Sequence, residues 1–202
     1  MKKNIVKIFL SILLIAAISC VWADGTDIKV ANINYPGTVK IGKDKLILNG
    51  AGIRTKFFVK VYALGLYVPK KGNSTNELLS MAGPKLVEIH MLRDVDAKDF
   101  IEALQEGLDN NNSDDILAKL KVQIGQLETL MNQARQANIG DTITFEFKPA
   151  SKSTLTAITR GGKTLMKTTI GGGADFYNAI LNIWIGKDPV DRGLKIDIIN
   201  AK

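Results

Sequence analysis

The stretch from residue 48 to residue 69, LNGAGIRTKFFVKVYALGLYVP, constrains the fold more than any other part of the chain. It begins with Asn-Gly-Ala-Gly at 49–52, a composition typical of a turn. A run of aromatic and β-branched residues follows from Phe57 to Val68, and this run predicts a long, well-buried strand. We expect the strand to lie at the centre of a sheet. Two polar side chains, Arg54 and Tyr62, stand just before it or within it.

Arg54 and Tyr62 are the candidate binding groups of this stretch. A buried guanidinium needs an anion or another strong acceptor as its partner. That partner is either a protein carboxylate, such as Glu88 or Asp99, or a ligand, unless Arg54 is simply exposed at the end of the strand. An arginine fork matches a carboxylate, and a tyrosine hydroxyl can donate a further hydrogen bond. An apolar cleft with such a polar end is the general design of a fatty-acid site.

The rest of the chain groups strands with strands and helices with helices. Further strands are predicted at 28–32, at 39–41 and 46–48 as a hairpin, and at 85–92, 141–148, 154–160 and 163–170. Helices that begin after Ser74, Asp96, Ser113 and Gly173 are predicted at 75–82, 97–108, 114–137 and 174–185. The segment 194–199 fits either a strand or a helix. This order predicts a single α+β domain, in which helices cover one face of a large antiparallel sheet.

The N-terminus has the pattern of a secretory signal peptide at 1–23. Basic residues are followed by an apolar run at 5–18 and by small residues at the expected cleavage site. Cleavage after Ala23 predicts an exported, periplasmic or secreted product that consists of one domain, 24–202. A lipoprotein anchored at Cys20 is the less favoured alternative, because the residues before this cysteine match a lipobox poorly.

Composition argues against several kinds of chemistry. Cys20 is the only cysteine, so the mature chain has no thiol nucleophile, disulfide or cysteine-ligated metal. His90 is the only histidine, no acidic cluster has metal-ligand spacing, and the triplet at 171–173 lacks the other residues of a phosphate loop. The signal peptide contains three lysines and no acidic residue, so its removal lowers the net charge from +7 to +4. We expect no catalytic residue, metal, cofactor or nucleic-acid partner.

The sequence GAGIR at 50–54, followed by KVYALGLYV at 60–68, resembles the chalcone isomerase-like family. Its members include plant flavonoid isomerases, non-catalytic fatty-acid-binding relatives and bacterial secreted proteins. The resemblance implies an open-faced β-sandwich, in which a large curved sheet is backed by helices and a ligand cleft lies between them. It also implies that Arg54 lies in the cleft and that the exported protein resides in the periplasm.

Within the family, the chain is more similar to the fatty-acid-binding members than to the isomerases. Residues 60–63 read K-V-Y-A as in the former, whereas the isomerases have a threonine here. The isomerases' tyrosine and asparagine in the helix after the central strands are matched by Phe100 and Gly107, and Ile183 stands in place of a hydroxyl-bearing residue. The polar groups that would position a chalcone are therefore largely replaced.

These observations favour a non-catalytic binding protein for a fatty acid or a similar amphipathic carboxylate. Arg54 would hold the carboxylate and Tyr62 would assist. The candidate apolar walls, each of which has ordinary core packing as its alternative role, are Phe57, Phe58, Leu64, Phe100, Tyr177 and Trp184. Two other functions stay open. One is an isomerase or lyase that acts on a phenolic or enone substrate, with Arg54 and Tyr62 stabilising an oxyanion. The other is an interaction module without a ligand. The sequence leaves the oligomeric state open.

Overall fold

The computed structural model describes residues 25–199, so the predicted signal peptide and its cleavage site lie outside the described residues. The strands are β1 Ile28–Val30, β2 Ile33–Tyr35, β3 Thr38–Ile41, β4 Asp44–Lys56, β5 Val59–Val68, β6 Lys85–Met91, β7 Val95–Asp96, β8 Gln136–Ala137, β9 Thr142–Lys148, β10 Ser153–Arg160 and β11 Lys163–Ile170. The helices are α1 Thr75–Ser80, α2 Ala97–Asn111, α3 Asp114–Ala134, α4 Gly173–Ile185 and α5 Arg192–Ile199.

Seven strands form one antiparallel sheet in the order β11-β10-β9-β6-β5-β4-β3. One face of this sheet carries Leu64, Ile89 and Phe145, which are buried in a core shared with α2, α3 and α4. The opposite face carries a smaller cluster around Tyr35 and Tyr67, which is covered in part by the β1–β2 hairpin. The predicted α+β architecture, with β5 inside a large sheet and helices on one face, is confirmed.

Local patterns of the sequence predict several elements correctly. In β9, Ile143, Phe145 and Phe147 are buried while the residues between them are partly exposed, as period-two alternation requires. The turn between β10 and β11 consists of Gly161 and Gly162, with φ values of 55° and 78°. Left-handed φ values at both central residues are typical of a two-residue hairpin loop, and glycine adopts them without a steric penalty.

The small residues at 49–52 do not form the predicted turn but lie within β4. A Cβ atom at Gly52 would stand 2.6 Å from the side chain of Asp197, and one at Gly50 would clash with the backbone of α5. Asn49 is also buried and fixes the crossing, because its Nδ2 donates to the carbonyl of Ile198 over 2.7 Å. The small residues therefore let α5 pack closely against a continuous strand.

The prediction that Phe57 and Phe58 belong to a buried strand is wrong. These two residues form the loop between β4 and β5, since Lys56 pairs with Val59 across the hairpin. Both have left-handed φ values, 49° and 65°, and both side chains are exposed to solvent. Strand propensity of aromatic residues is here overridden by the register of the hairpin, which pairs Arg54 with Tyr62.

The helix boundaries also differ from the predictions. Helix α2 continues to Asn111 because the asparagine side chains bind backbone carbonyls, as Asn111 Nδ2 does at Gly107 over 2.9 Å. Asp96 stands at the N-cap of α2 without capping it, since its carboxylate accepts from Gln136 Nε2 instead. Residues 192–199 are helical. Within residues 25–199, no helix combines the length and the apolar character needed to cross a membrane.

Candidate functional site

A polar groove and a narrow apolar slot adjoin each other between the β4–β5 hairpin and helix α2. The groove has a volume of about 510 Å³, and the slot has a volume of about 40 Å³. Arg54, Val61, Val95, Asp99 and Ala103 line both of them. Arg54 therefore stands where the groove opens into the slot.

Arg54 has no acceptor for its buried Nε–H within the described chain. Its guanidinium carbon lies 5.6 Å from the centre of the Tyr62 ring, a distance typical of a cation–π contact. Neither of the carboxylates considered from the sequence forms an ion pair with it: Glu88 binds His90 on the opposite face of the sheet, and Asp99 lines the groove without reaching bonding distance. A buried donor without an acceptor is costly, so this nitrogen is the polar atom of the site that most needs a ligand.

Tyr62 places a second hydrogen-bond donor at the slot. Its hydroxyl oxygen accepts a hydrogen bond from Trp184 Nε1 over 2.8 Å. Burial raises the pKa of the Tyr62 hydroxyl above its usual value, with the positive charge of Arg54 opposing this change. The phenol therefore keeps its proton at neutral pH, and among residues 25–199 no acceptor binds that proton. Trp184 fixes the orientation of the ring and leaves the O–H group available.

The walls of the slot are apolar side chains from α2, β9 and α4. They include Phe100, Leu104, Phe145, Ile183 and Trp184. The volume of about 40 Å³ holds at most a few water molecules, whereas pockets for small organic ligands typically measure about 300–1,000 Å³. An acyl chain would enter only after the slot widens. Phe100, near the start of α2, is one of the partly buried residues of its wall.

The structure brings together four of the eight residues that the sequence predicts for the site. Arg54, Tyr62, Phe100 and Trp184 all line the slot. The other four lie elsewhere: Phe57 borders the groove, Phe58 is at the tip of the hairpin, Leu64 is in the core, and Tyr177 stacks on Phe147 with ring centres 5.3 Å apart.

Sequence reasoning missed the acidic wall of the groove. Asp94, Asp96, Asp99, Glu102 and Glu106 all line it. The acidic residues at 94–102 lie at the start of a helix, where acidic side chains offset the helix dipole, and this role alone is sufficient to explain them in the sequence. Their helical spacing places Asp99, Glu102 and Glu106 on a common face of α2, and this spacing is the signal that could have revealed the wall.

His90 is a satisfied structural histidine. Its Nε2 lies 2.6 Å from Glu88 Oε1, and its Nδ1 lies 3.2 Å from Thr142 Oγ1. Its ring also packs edge-on against Tyr35, with ring centres 5.4 Å apart. In the part of the chain that the structure describes, no group of three or more His, Cys, Asp or Glu residues could hold a metal ion.

Comparison with known proteins identifies the family. Residues 27–199 match the model of a family described as chalcone isomerase-like. The structure is similar to the crystal structure of a fatty-acid binding protein from Arabidopsis thaliana, with a TM-score of 0.63, 17% sequence identity, and coverage of 86% of this chain and 96% of that chain. No curated protein sequence matches significantly. At 17% identity the structural similarity shows the fold alone, whereas the family match spans almost all described residues. The chain therefore belongs to the chalcone isomerase-like family.

Proposed function

We propose that this protein is a non-catalytic, exported binding protein for a fatty acid or a similar amphipathic carboxylate. The observation that carries the proposal is the buried Nε–H of Arg54, which lacks an acceptor at the mouth of an apolar slot. The signal-peptide pattern supports export, and the family resemblance supports the periplasm as the location. The class of ligand is supported by the similarity of the fold to that of a fatty-acid binding protein.

A carboxylate satisfies both unpaired donors of the site. Its two oxygens would accept from Arg54 Nε–H and from the O–H group of Tyr62, and its charge would be balanced by the guanidinium. Hydrogen bonds to charged groups contribute about 1.5–3 kcal/mol each, which corresponds to about 10- to 100-fold in affinity. The acidic wall of the groove would disfavour anions that remain in the groove and do not reach Arg54.

The apolar tail would occupy the slot after displacing Phe100. Burial of a methylene group contributes about 0.8 kcal/mol, so about ten buried methylenes contribute about 8 kcal/mol. Removing one phenylalanine from a core costs about 3–5 kcal/mol, which bounds the cost of moving Phe100 aside. For a long acyl chain, the free energy gained by burying methylenes exceeds the cost of moving Phe100, so widening of the slot is favourable. For a short chain it is unfavourable. We therefore expect affinity to rise steeply with the length of the acyl chain.

The isomerase alternative has less support from the walls of the slot. Phe100 and Ile183 contribute only apolar atoms where a phenolic substrate would need hydrogen-bonding groups to be oriented. An interaction module without a ligand would also have a narrow slot, and a direct binding measurement separates it from the proposed carrier.

The test is calorimetric titration of the delipidated protein with dodecanoate and with dodecanol as its uncharged counterpart. We expect Arg54→Gln to weaken dodecanoate binding by about 10- to 100-fold, with little change for dodecanol. Arg192→Gln is the matched control, because Arg192 is exposed on α5 outside the groove and the slot. This variant should bind dodecanoate like the wild type. Equal dodecanoate affinities of Arg54→Gln and wild type would refute the arginine anchor. Absence of binding by the wild type would favour the interaction module.

A further inference from the structure

The β4–β5 hairpin ends in two exposed aromatic side chains. Phe57 is 85% exposed and Phe58 is fully exposed, and the adjacent Val59 is 46% exposed. Large apolar side chains at such exposure lose the free energy that burial would provide. A contiguous apolar tip of this kind indicates an interaction surface.

The backbone of the tip is unfavourable for the residues that occupy it. Phe57 and Phe58 have φ values of 49° and 65°, a region in which Asn and Gly are favoured and bulky side chains are strained. The hairpin thus bears a steric cost as well as a solvation cost at the same two positions. Neither cost is offset by a packing contact, since both side chains face solvent. An apolar environment outside the molecule would offset both.

The charged side chains of the hairpin itself are all positive near the tip. Lys56 and Lys60 flank the two phenylalanines, and residues 54–60 contain no acidic side chain. Lys56 Nζ lies 6.0 Å from the centre of the Phe57 ring, so the cation stands beside the aromatic surface. At the side of the hairpin, Asp191 accepts from the backbone of Thr55 over 2.8 Å, and the acidic wall borders the groove that Lys56 and Phe57 also line. Aromatic side chains flanked by lysines are typical of segments that enter an anionic lipid interface.

The size of the tip distinguishes a membrane from a protein partner. A stable protein interface buries about 800 Å² on each partner. Two phenylalanines supply about 300–500 Å² at most, and the acidic wall of the groove stands behind them. A two-residue loop is therefore too small for a stable protein interface. Insertion into a lipid headgroup region needs no such extended complementary surface.

We propose that the segment Lys56–Lys60 docks this protein onto an anionic membrane surface. Phe57 and Phe58 enter the interface, and the two lysines bind lipid phosphates. Phe57 also lines the groove that leads to Arg54, so docking places the entrance of the groove beside the lipid. The docking itself does not depend on what the Arg54 site binds.

The test is co-sedimentation with vesicles of phosphatidylcholine that contain about 30 mol% phosphatidylglycerol, at about 0.05 M and about 0.5 M salt. The variant Phe57→Asn/Phe58→Gly removes both aromatic groups and supplies the residues that the loop geometry favours, so it should remain folded. We expect it to lose about tenfold or more in vesicle partitioning. Each of Lys56→Gln and Lys60→Gln should lose about fivefold at the lower salt and little at the higher.

Val122→Ser is the control, because Val122 is an exposed apolar residue outside the hairpin, 69% exposed on α3. This variant should bind vesicles like the wild type. Equal binding of wild type and Phe57→Asn/Phe58→Gly would overturn the proposal, as would an absence of vesicle binding by the wild type. Sedimentation velocity tests the remaining alternative, which is that a second copy of this chain covers the tip. A wild-type dimer that dissociates in the double variant, without vesicle binding, would assign the tip to self-association and reject the membrane.

Discussion

Lys85 is a buried cation whose removal should stabilise the protein. It lies at the start of β6 with 2% of its surface exposed. Its Nζ donates to the carbonyl of Leu79 over 3.1 Å and lies 6.0 Å from the centre of the Tyr177 ring. No carboxylate within residues 25–199 forms an ion pair with it. Burial accordingly lowers the pKa of the Lys85 amine from 10.5 to about 8.

This lowered pKa sets the size of the expected effect. The difference between 10.5 and about 8 corresponds to a destabilisation of about 3 kcal/mol when the amine is charged in both states. Lys85→Met removes this penalty and keeps an unbranched side chain, but it also loses the hydrogen bond and the cation–π contact, worth together about 1 kcal/mol. We expect a net gain of about 2 kcal/mol at pH 7, or about 4–8 °C in Tm for a chain of this size.

The advantage of Lys85→Met should vanish as the pH rises. Between pH about 8 and 10.5 the unfolded wild type binds a proton that the native wild type does not, so wild-type stability increases with pH in this window. By about pH 10 the penalty should have fallen by about 2 kcal/mol, and the two proteins should be about equally stable.

The assay is urea denaturation of both proteins at a series of pH values from about 7 to about 10. Lys121→Met, on the exposed surface of α3, is the control for replacing a lysine by methionine outside the core. The reasoning would be refuted if Lys85→Met were less stable than the wild type at neutral pH. A stability difference that stayed constant over the series would refute it equally.

Three further predictions concern stability and maturation. Asp141 accepts hydrogen bonds from Arg160 over 2.7 and 2.8 Å, and these bonds hold the pKa of its carboxyl below the usual range. The stabilisation is present above the unfolded pKa of about 4 and is lost as pH falls through the lower native pKa. In urea denaturation Asp141→Asn should therefore cost about 2 kcal/mol at pH 7, and this cost should shrink as the pH falls below about 4. Phe57→Asn/Phe58→Gly should raise the free energy of unfolding by about 1 kcal/mol, measured thermally, and a decrease would contradict the turn geometry. The intact mass of the exported protein should correspond to a chain that begins at Asp24, and a lipid-modified cysteine would contradict this cleavage.

Sequence reasoning succeeded where local chemistry and tertiary structure agree. The alternation at Ile143, Phe145 and Phe147 predicts β9 because one face of that strand is covered by helices. Gly161 and Gly162 predict the last hairpin because its loop needs left-handed backbone at both positions. In these elements the same residues satisfy the local backbone and the packing of the whole sheet.

It failed where a distant segment decides the local structure. The composition of residues 49–52 predicts a turn, whereas in the structure these residues allow the close approach of α5, more than 140 residues later in the chain. The propensity of Phe57 and Phe58 predicts a strand, and it gives no indication that the chain reverses between them. Pattern analysis detects burial and period, but it does not show which remote element lies opposite a given residue.

The candidate site was predictable only in part, because its geometry depends on how the helices pack on the sheet. The sequence indicates Arg54 because this residue precedes an apolar run, and it offers Phe100 and Trp184 as apolar walls of a cleft. Nothing in the local sequence indicates that Trp184 binds the Tyr62 hydroxyl or that the slot is narrow, because both depend on how α2 and α4 pack on the sheet. The volume of a cleft is a property of tertiary packing.

The contact between α5 and β4 has a consequence for the order in which the chain can fold. Asn49 Nδ2 binds the carbonyl of Ile198, so this contact joins positions separated by 149 residues. Closing so long a loop is entropically unfavourable, and proteins rich in distant contacts fold slowly. A growing chain that lacks α5 leaves the glycine-lined part of β4 uncovered. The contacts that cover this part of β4 can therefore form only after residues 192–199 have been synthesised.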